Sequence, residues 1–189
     1  KVVAVNPPPR KLTGNITVGG TSQSGNTDRA SASIGADASI KSDNDRFSLR
    51  FLLNYAQEKG AETANNTYLS LKYDYFFTKK FYGLLALELL KDRFVDLNLR
   101  TIVGPGVGYQ IWDDPVKFLL FEAGVTYFSE DHINNPHKDW TAARLAGNFR
   151  YKLFKTITFA DQIEIYPNLN YGGEYTLRNE ASLISPLGA

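Results

Sequence analysis

Residues Ala30–Lys41 read ASASIGADASIK. Every even position is Ala or Ile, and every odd position is Ser, Gly, Asp or Lys. Strict alternation gives a β-strand one apolar and one polar face, because successive side chains point to opposite sides of the pleat. Which face meets water decides the fold. A soluble sandwich or lipocalin-like barrel buries the apolar side. A membrane barrel turns it outward to hydrocarbon and keeps the polar side within.

The same alternation recurs ten times from Leu12 onward. Strands are expected over residues 12–23, 30–41 and 46–58, then around Leu69–Phe77 after a turn GAETAN. They continue over 81–93, 97–112, 116–130, 140–154, 156–166 and 171–184. The third sets Phe47, Leu49, Phe51 and Leu53 against Arg46, Ser48 and Arg50. The seventh sets Leu119, Phe121, Val125 and Tyr127 against Glu122 and Thr126. No stretch reads as an amphipathic helix.

Length, connection and aromatic placement favour the membrane solution. These strands run about 11 to 14 residues, where strands of soluble domains run about 5 to 6. Short turns join them in succession, the up-and-down pattern. Aromatics gather at alternate turns, in YDYFFTKKFY, YQIWDDP and FRYKLF. Those turns share one end of an up-and-down barrel, where half-wetted rings form an interfacial girdle. The turns of the other end, SGNTD, GAETAN and HINNPHKD, read as longer and more polar. Charges recur at mid-strand on the polar side: Arg50, Lys72, Asp74, Glu88, Arg100, Glu122, Arg144 and Arg150. These eight are the expected lumen residues. Ten to twelve tilted strands give a backbone radius of about 10–12 Å, which long Arg and Glu side chains largely fill. Asp161 breaks the pattern, falling in phase with Phe159, Ile163 and Ile165. Either a bulge shifts the register there or its carboxylate is shielded.

Bulk properties agree. The 189 residues suit one domain, and 21 basic against 20 acidic residues give no reason to expect nucleic acid as a partner. With no cysteine, disulfides, thiolate metal sites and cysteine nucleophiles are excluded. No apolar run reaches the ~18 residues of a spanning helix. The absence of methionine and the start at Lys1 are expected of a processed or trimmed chain. Residues 1–11, KVVAVNPPPRK, read as a proline-rich arm or linker ahead of a barrel domain over 12–189.

Two stretches carry a family likeness. GNITVGGTSQSGNTDRASASIGAD has Gly14-Asn15 followed by Ser24-Gly25-Asn26-Thr27 at the first hairpin. LNLRTIVGPGVGYQIW has Arg100, Gly104, Gly106, Gly108 and Tyr109. Together they resemble the DUF481 family, the YdiY-like group named as salt-induced outer-membrane proteins. The resemblance implies an outer-membrane barrel of about twelve strands with no established activity. Family members continue through two more strands to a terminal aromatic residue. This chain stops at SPLGA, so a last hairpin is expected to be missing from it.

Little in the sequence reads as reaction chemistry. GGTSQSGNT lacks the Lys-Ser/Thr ending of a phosphate loop and a following helix. His132 and His137 sit in one loop beside Glu130, Asp131 and Asp139, which reads as a solvated outer loop rather than a metal site. SDND and DDP read as turns whose Asp and Asn bond their own backbone. The expectation is therefore a non-enzymatic barrel of the Gram-negative outer membrane, needing no cofactor or metal and contacting outer-membrane lipids. It would be structural or a narrow passive pore. Alternatively it would anchor or dock an envelope partner through the arm or loops, or, less in keeping, carry a lipid-modifying site at its rim.

Overall fold

The computed structural model describes residues 11–25, 28–154 and 156–185. Residues 1–10 of the expected arm, Asn26 and Thr27 of the first hairpin, Lys155 and the terminal PLGA lie outside the described residues. Ten strands form one antiparallel sheet in sequence order: β1 (Lys11–Gln23), β2 (Arg29–Lys41), β3 (Asp45–Glu58), β4 (Ala61–Phe76), β5 (Phe81–Asp92), β6 (Leu97–Asp113), β7 (Lys117–His132), β8 (Lys138–Lys152), β9 (Thr158–Pro167) and β10 (Tyr175–Ile184). A single 3-10 turn, Arg93–Val95, is the one helical element among the described residues. The all-β, up-and-down reading therefore holds. β1 and β10 are the two ends of the strand order.

Strand bounds differ from expectation mainly at β3–β4. GAETAN is not a loop: Lys59 and Gly60 alone turn the chain, at φ 51° and 77°, and β4 starts at Ala61. Two consecutive positive-φ residues match the right-handed twist of a hairpin, which is why so tight a turn works here. A register shift between Ala56 and Gln57 takes up the mismatch. The anticipated length difference between the two sets of turns is lost at this hairpin. β10 likewise starts at Tyr175, later than expected, because Asn168 folds the preceding loop: its side-chain oxygen accepts from the amides of Asn170 (2.9 Å) and Tyr171 (3.1 Å). In DDP, Asp114 accepts from Val116 and Lys117 at 3.0 and 2.8 Å, as an Asp-led turn should.

The sheet divides into two compact units. One holds the described residues up to Tyr75 with 86–102 and 129–138; the other holds 76–85, 103–128 and 139 onward. In the first, β1 is exposed at every position and pairs residue for residue with β2, so that Val18 meets Ile34 and Asn15 meets Asp37. In the second, β7 alternates sharply. Phe121 and Val125 are 54% and 48% exposed, while Glu122 and Thr126 are 5% and 3% exposed. The charged face is thus the occluded one and the oily face the open one, the reverse of a water-soluble sheet.

Asp161 is settled without a bulge. β9 pairs in unbroken register with β8 and with β10, so Asp161 does lie in phase with the exposed Ile163. The side-chain amide of Asn179 on β10 donates to its carboxylate at 2.8 Å and to the carbonyl of Gln162 at 3.2 Å. The two polar residues shield each other on an otherwise apolar face. Replacing Asn179 by Leu should cost about 1–3 kcal/mol by removing the donor of a half-buried carboxylate. Asp161→Ile in the same chain should restore most of that stability. The temperature at which the folded band is lost on a gel measures both.

Candidate functional site

The occluded face of the second unit carries a joined set of charges. Arg144 on β8 donates to Glu122 on β7 at 2.8 Å and to Glu164 on β9 at 2.6 Å. Arg144, Glu122 and Glu164 are all buried. The guanidinium fork suits this task, since its N–H groups point to two carboxylates in one plane. Tyr82 on β5 donates its hydroxyl to Glu122 at 2.7 Å, and Tyr166 donates to Glu164 at 3.1 Å. Arg178 on β10 adds a longer contact to Glu164 at 3.9 Å and lies over the Tyr166 ring. Each charge therefore has partners that offset the removal of water around it.

Around these charges the same face is not wet. Leu84, Leu120, Phe128 and Ala142 are buried, and Phe128 meets Tyr166 edge-on at 5.4 Å and stacks on Trp140 at 4.8 Å. Apolar side chains fill the space that a purely polar lining would leave to water.

Glycine explains how Tyr82 reaches Glu122. A Cβ on Gly108 would stand 2.2 Å from the Tyr82 ring, so Tyr82 lies flat across β6 where a side chain is missing. Gly104 and Gly124 are constrained by backbone instead. Their Cβ atoms would fall 2.0 Å from the Val125 carbonyl and 2.5 Å from the Pro105 carbonyl. The Gly-x-Gly-x-Gly run of β6 thus permits close approach of β7 and the laying of one aromatic ring over the strand.

The first unit has its own ion pairs. Arg46 binds the fully buried Asp74 at 2.7 Å, and Lys72 approaches it at 3.2 Å. Arg50 pairs with Asp37 across β2–β3 at 2.9 Å, both side chains about half exposed. Arg100 bonds Glu130. Of the eight expected lumen charges, Lys72, Asp74, Arg100, Glu122 and Arg144 are thus seen in ion pairs at occluded or half-occluded places. Arg50 is more open. Glu88 is half-buried on β5. Arg150 is exposed and lies over the Phe118 ring at 5.2 Å. The sequence reading missed Glu130, Glu164, Tyr82 and Tyr166 as members. Phase was the available signal: Tyr82 shares its side with Glu88, and Tyr166 with Glu164.

At the loops of the first unit, Asp96 ties the β5–β6 connection to the β7–β8 connection. Its carboxylate accepts from the Asn134 amide at 2.9 Å, from the Asn134 side chain at 2.8 Å and from the Asn135 side chain. The Asn135 bond, foremost, and those of Asn134 hold the carboxyl below its ordinary value of 3.8. A depressed folded-state pKa means this tie is at full strength above about pH 3.8 and is lost as the pH falls through the lower folded value. The protection of the Asn134 amide against exchange, relative to its intrinsic rate, should therefore fall only below pH 3.8, and Asp96→Asn should remove that pH dependence. His137 contacts Asp131 at 2.7 Å and His132 contacts Glu130 at 3.4 Å. Among the described residues, no group of three or more His, Asp and Glu side chains is placed to hold a metal ion.

In the second unit the antiparallel meander thus hides ionised side chains of β7–β9 and leaves oily ones of the same strands open. The chain matches the model of the family described as protein of unknown function, DUF481, over residues 16–188, and it belongs to that family. Searches of the curated proteins and of the solved structures returned no match.

Proposed function

We propose that this protein is a non-enzymatic β-barrel of the Gram-negative outer membrane, with a lumen closed by paired charges rather than held open as a wide pore. The observation that carries the reading is the reversed alternation on β7, with Phe121 and Val125 open and Glu122 and Thr126 hidden. A bilayer rewards that arrangement and water does not. Closure of the sheet follows from the same physics. In hydrocarbon, any backbone N–H or C=O left unpaired along β1 or β10 would cost several kcal/mol, so the ladder must close or be completed by further strand pairing. Exposed rings at one set of turns, among them Phe77, Trp112 and Phe154, suit the interfacial layer. The Glu122–Arg144–Glu164 cluster, flanked by Leu120 and Phe128, supports a plugged interior over an open channel. The partner is the lipid of the membrane itself.

Detergent-extracted protein should float with vesicles in a density gradient and migrate faster on a gel unheated than boiled. In planar bilayers it should give no sustained conductance steps. A chain that stays in the aqueous fraction with no mobility shift would point to a soluble barrel. Large, long-lived steps would replace the plug with a pore.

A further inference from the structure

The open face of the second unit is not evenly studded. Between Phe81, Tyr109, Phe121, Leu145 and Ile163 lies a groove of about 490 Å³, floored by Gly108, Ala123, Ala146 and Gly147. Its surface is almost wholly apolar. Its one ionisable carboxyl, Glu122, is already engaged by Tyr82 and Arg144. A Cβ on Gly147 would lie 3.4 Å from Ile163 and 3.5 Å from Phe121, so these two side chains form walls on either side of a residue that has none. Such a groove offers almost entirely hydrocarbon contact, which selects an alkyl chain over a polar solute.

Charge indicates which lipid. Phe81 opens β5 directly after Lys79 and Lys80, and Lys117 lies four residues before Phe121 on β7, about 13 Å along the strand. The Lys117 ammonium sits 5.1 Å from the Trp112 ring centre, and Lys80 donates to the Ile111 carbonyl at 3.3 Å. The nearby acidic groups are Asp113, Asp114, whose carboxylate is turned onto the Val116 and Lys117 amides, and Asp161, held by Asn179. Cations with an aromatic ring at the groove's end match an anionic headgroup.

We infer that this groove holds one acyl chain of an anionic phospholipid, its headgroup beside Lys80 and Lys117. The inference rests on the membrane reading above and deepens it by naming a specific lipid partner. Ala123 is exposed and lines the groove, so Ala123→Phe fills it from the open side. Val125→Phe adds bulk to the same face outside the groove and serves as control. The full chain is reconstituted in vesicles containing phosphatidylglycerol and phosphatidylethanolamine, extracted, and weighed by native mass spectrometry. Wild type and Val125→Phe should retain one phosphatidylglycerol per chain. Ala123→Phe should retain about tenfold less, the effect of displacing a few methylene contacts. Lys80→Glu with Lys117→Glu should abolish the preference for phosphatidylglycerol. Heat-modifiable migration shows that each variant is folded. Equal retention of both lipids by wild type, no loss in Ala123→Phe, or a lipid-free dimer would overturn the inference. If wild type floats with vesicles and still keeps no lipid, the groove assignment fails alone; if it does not float, the membrane reading fails first.

Discussion

Arg144→Ala should lower the unfolding free energy by about 3–5 kcal/mol, the usual result of removing one partner from a buried ion pair. Arg144 is the shared cation of Glu122 and Glu164, at 2.8 and 2.6 Å. Without it, two buried carboxylates lose their shared cation, and the Tyr82 and Tyr166 hydroxyls and the more distant Arg178 do not replace that close charge. One of the carboxylates must then take up a proton or admit water. Urea titration of the protein in detergent, read by tryptophan fluorescence, measures the loss. A second chain isolates the cause. Replacing all three residues with apolar ones of similar size, Glu122→Leu, Arg144→Met and Glu164→Leu, removes the charges together and should restore most of the stability. A loss under about 1 kcal/mol in Arg144→Ala would mean that the cluster is solvated, since exposed pairs contribute no more than that.

Gly108→Val should be nearly as severe, at about 2–4 kcal/mol, through displacement of a buried ring and loss of its hydrogen bond to a charged group. The added Cβ has no room, with the Tyr82 ring atoms at 2.2 and 2.5 Å and its hydroxyl at 2.5 Å. Tyr82 is fully buried, so its departure takes both the Glu122 hydrogen bond and the contact with Phe76 at 4.9 Å. A double-mutant cycle separates this mechanism from a general effect on β6. In a Tyr82→Ala background, Gly108→Val should lose most of its effect, because the clashing ring is gone. Equal losses in both backgrounds would place the fault in the strand backbone instead.

Period two carried most of the fold. ASASIGADASIK folds as β2 with its bounds moved by one residue, and the ten-strand antiparallel order follows from alternating runs punctuated by turn residues. The placing of charges on one side was also legible, because a side chain's phase along a strand fixes its face. Legibility stopped where local signal does not discriminate. GAETAN looks like a loop in composition, yet Lys59-Gly60 suffices as the turn, and Ala61, Glu62, Ala64, Asn65 and Asn66 pair with β3 across a register shift that skips Thr63. For Asp161 the sequence leaves a bulge and a shielded carboxylate both open, and the choice falls to Asn179, eighteen residues away, whose amide bonds it.

By itself, then, the sequence determined a single antiparallel sheet with one oily and one ionised face, and the family to which the chain belongs. Those properties are periodic or local, and a linear string carries them in full. The tertiary structure decided that Glu122, Arg144 and Glu164 meet, that Tyr82 lies over Gly108, and that Gly147 leaves a groove between Phe121 and Ile163. Each of these depends on the stagger between strands far apart in sequence. Alternation fixes which way a side chain points, but not which residue of the next strand stands opposite it.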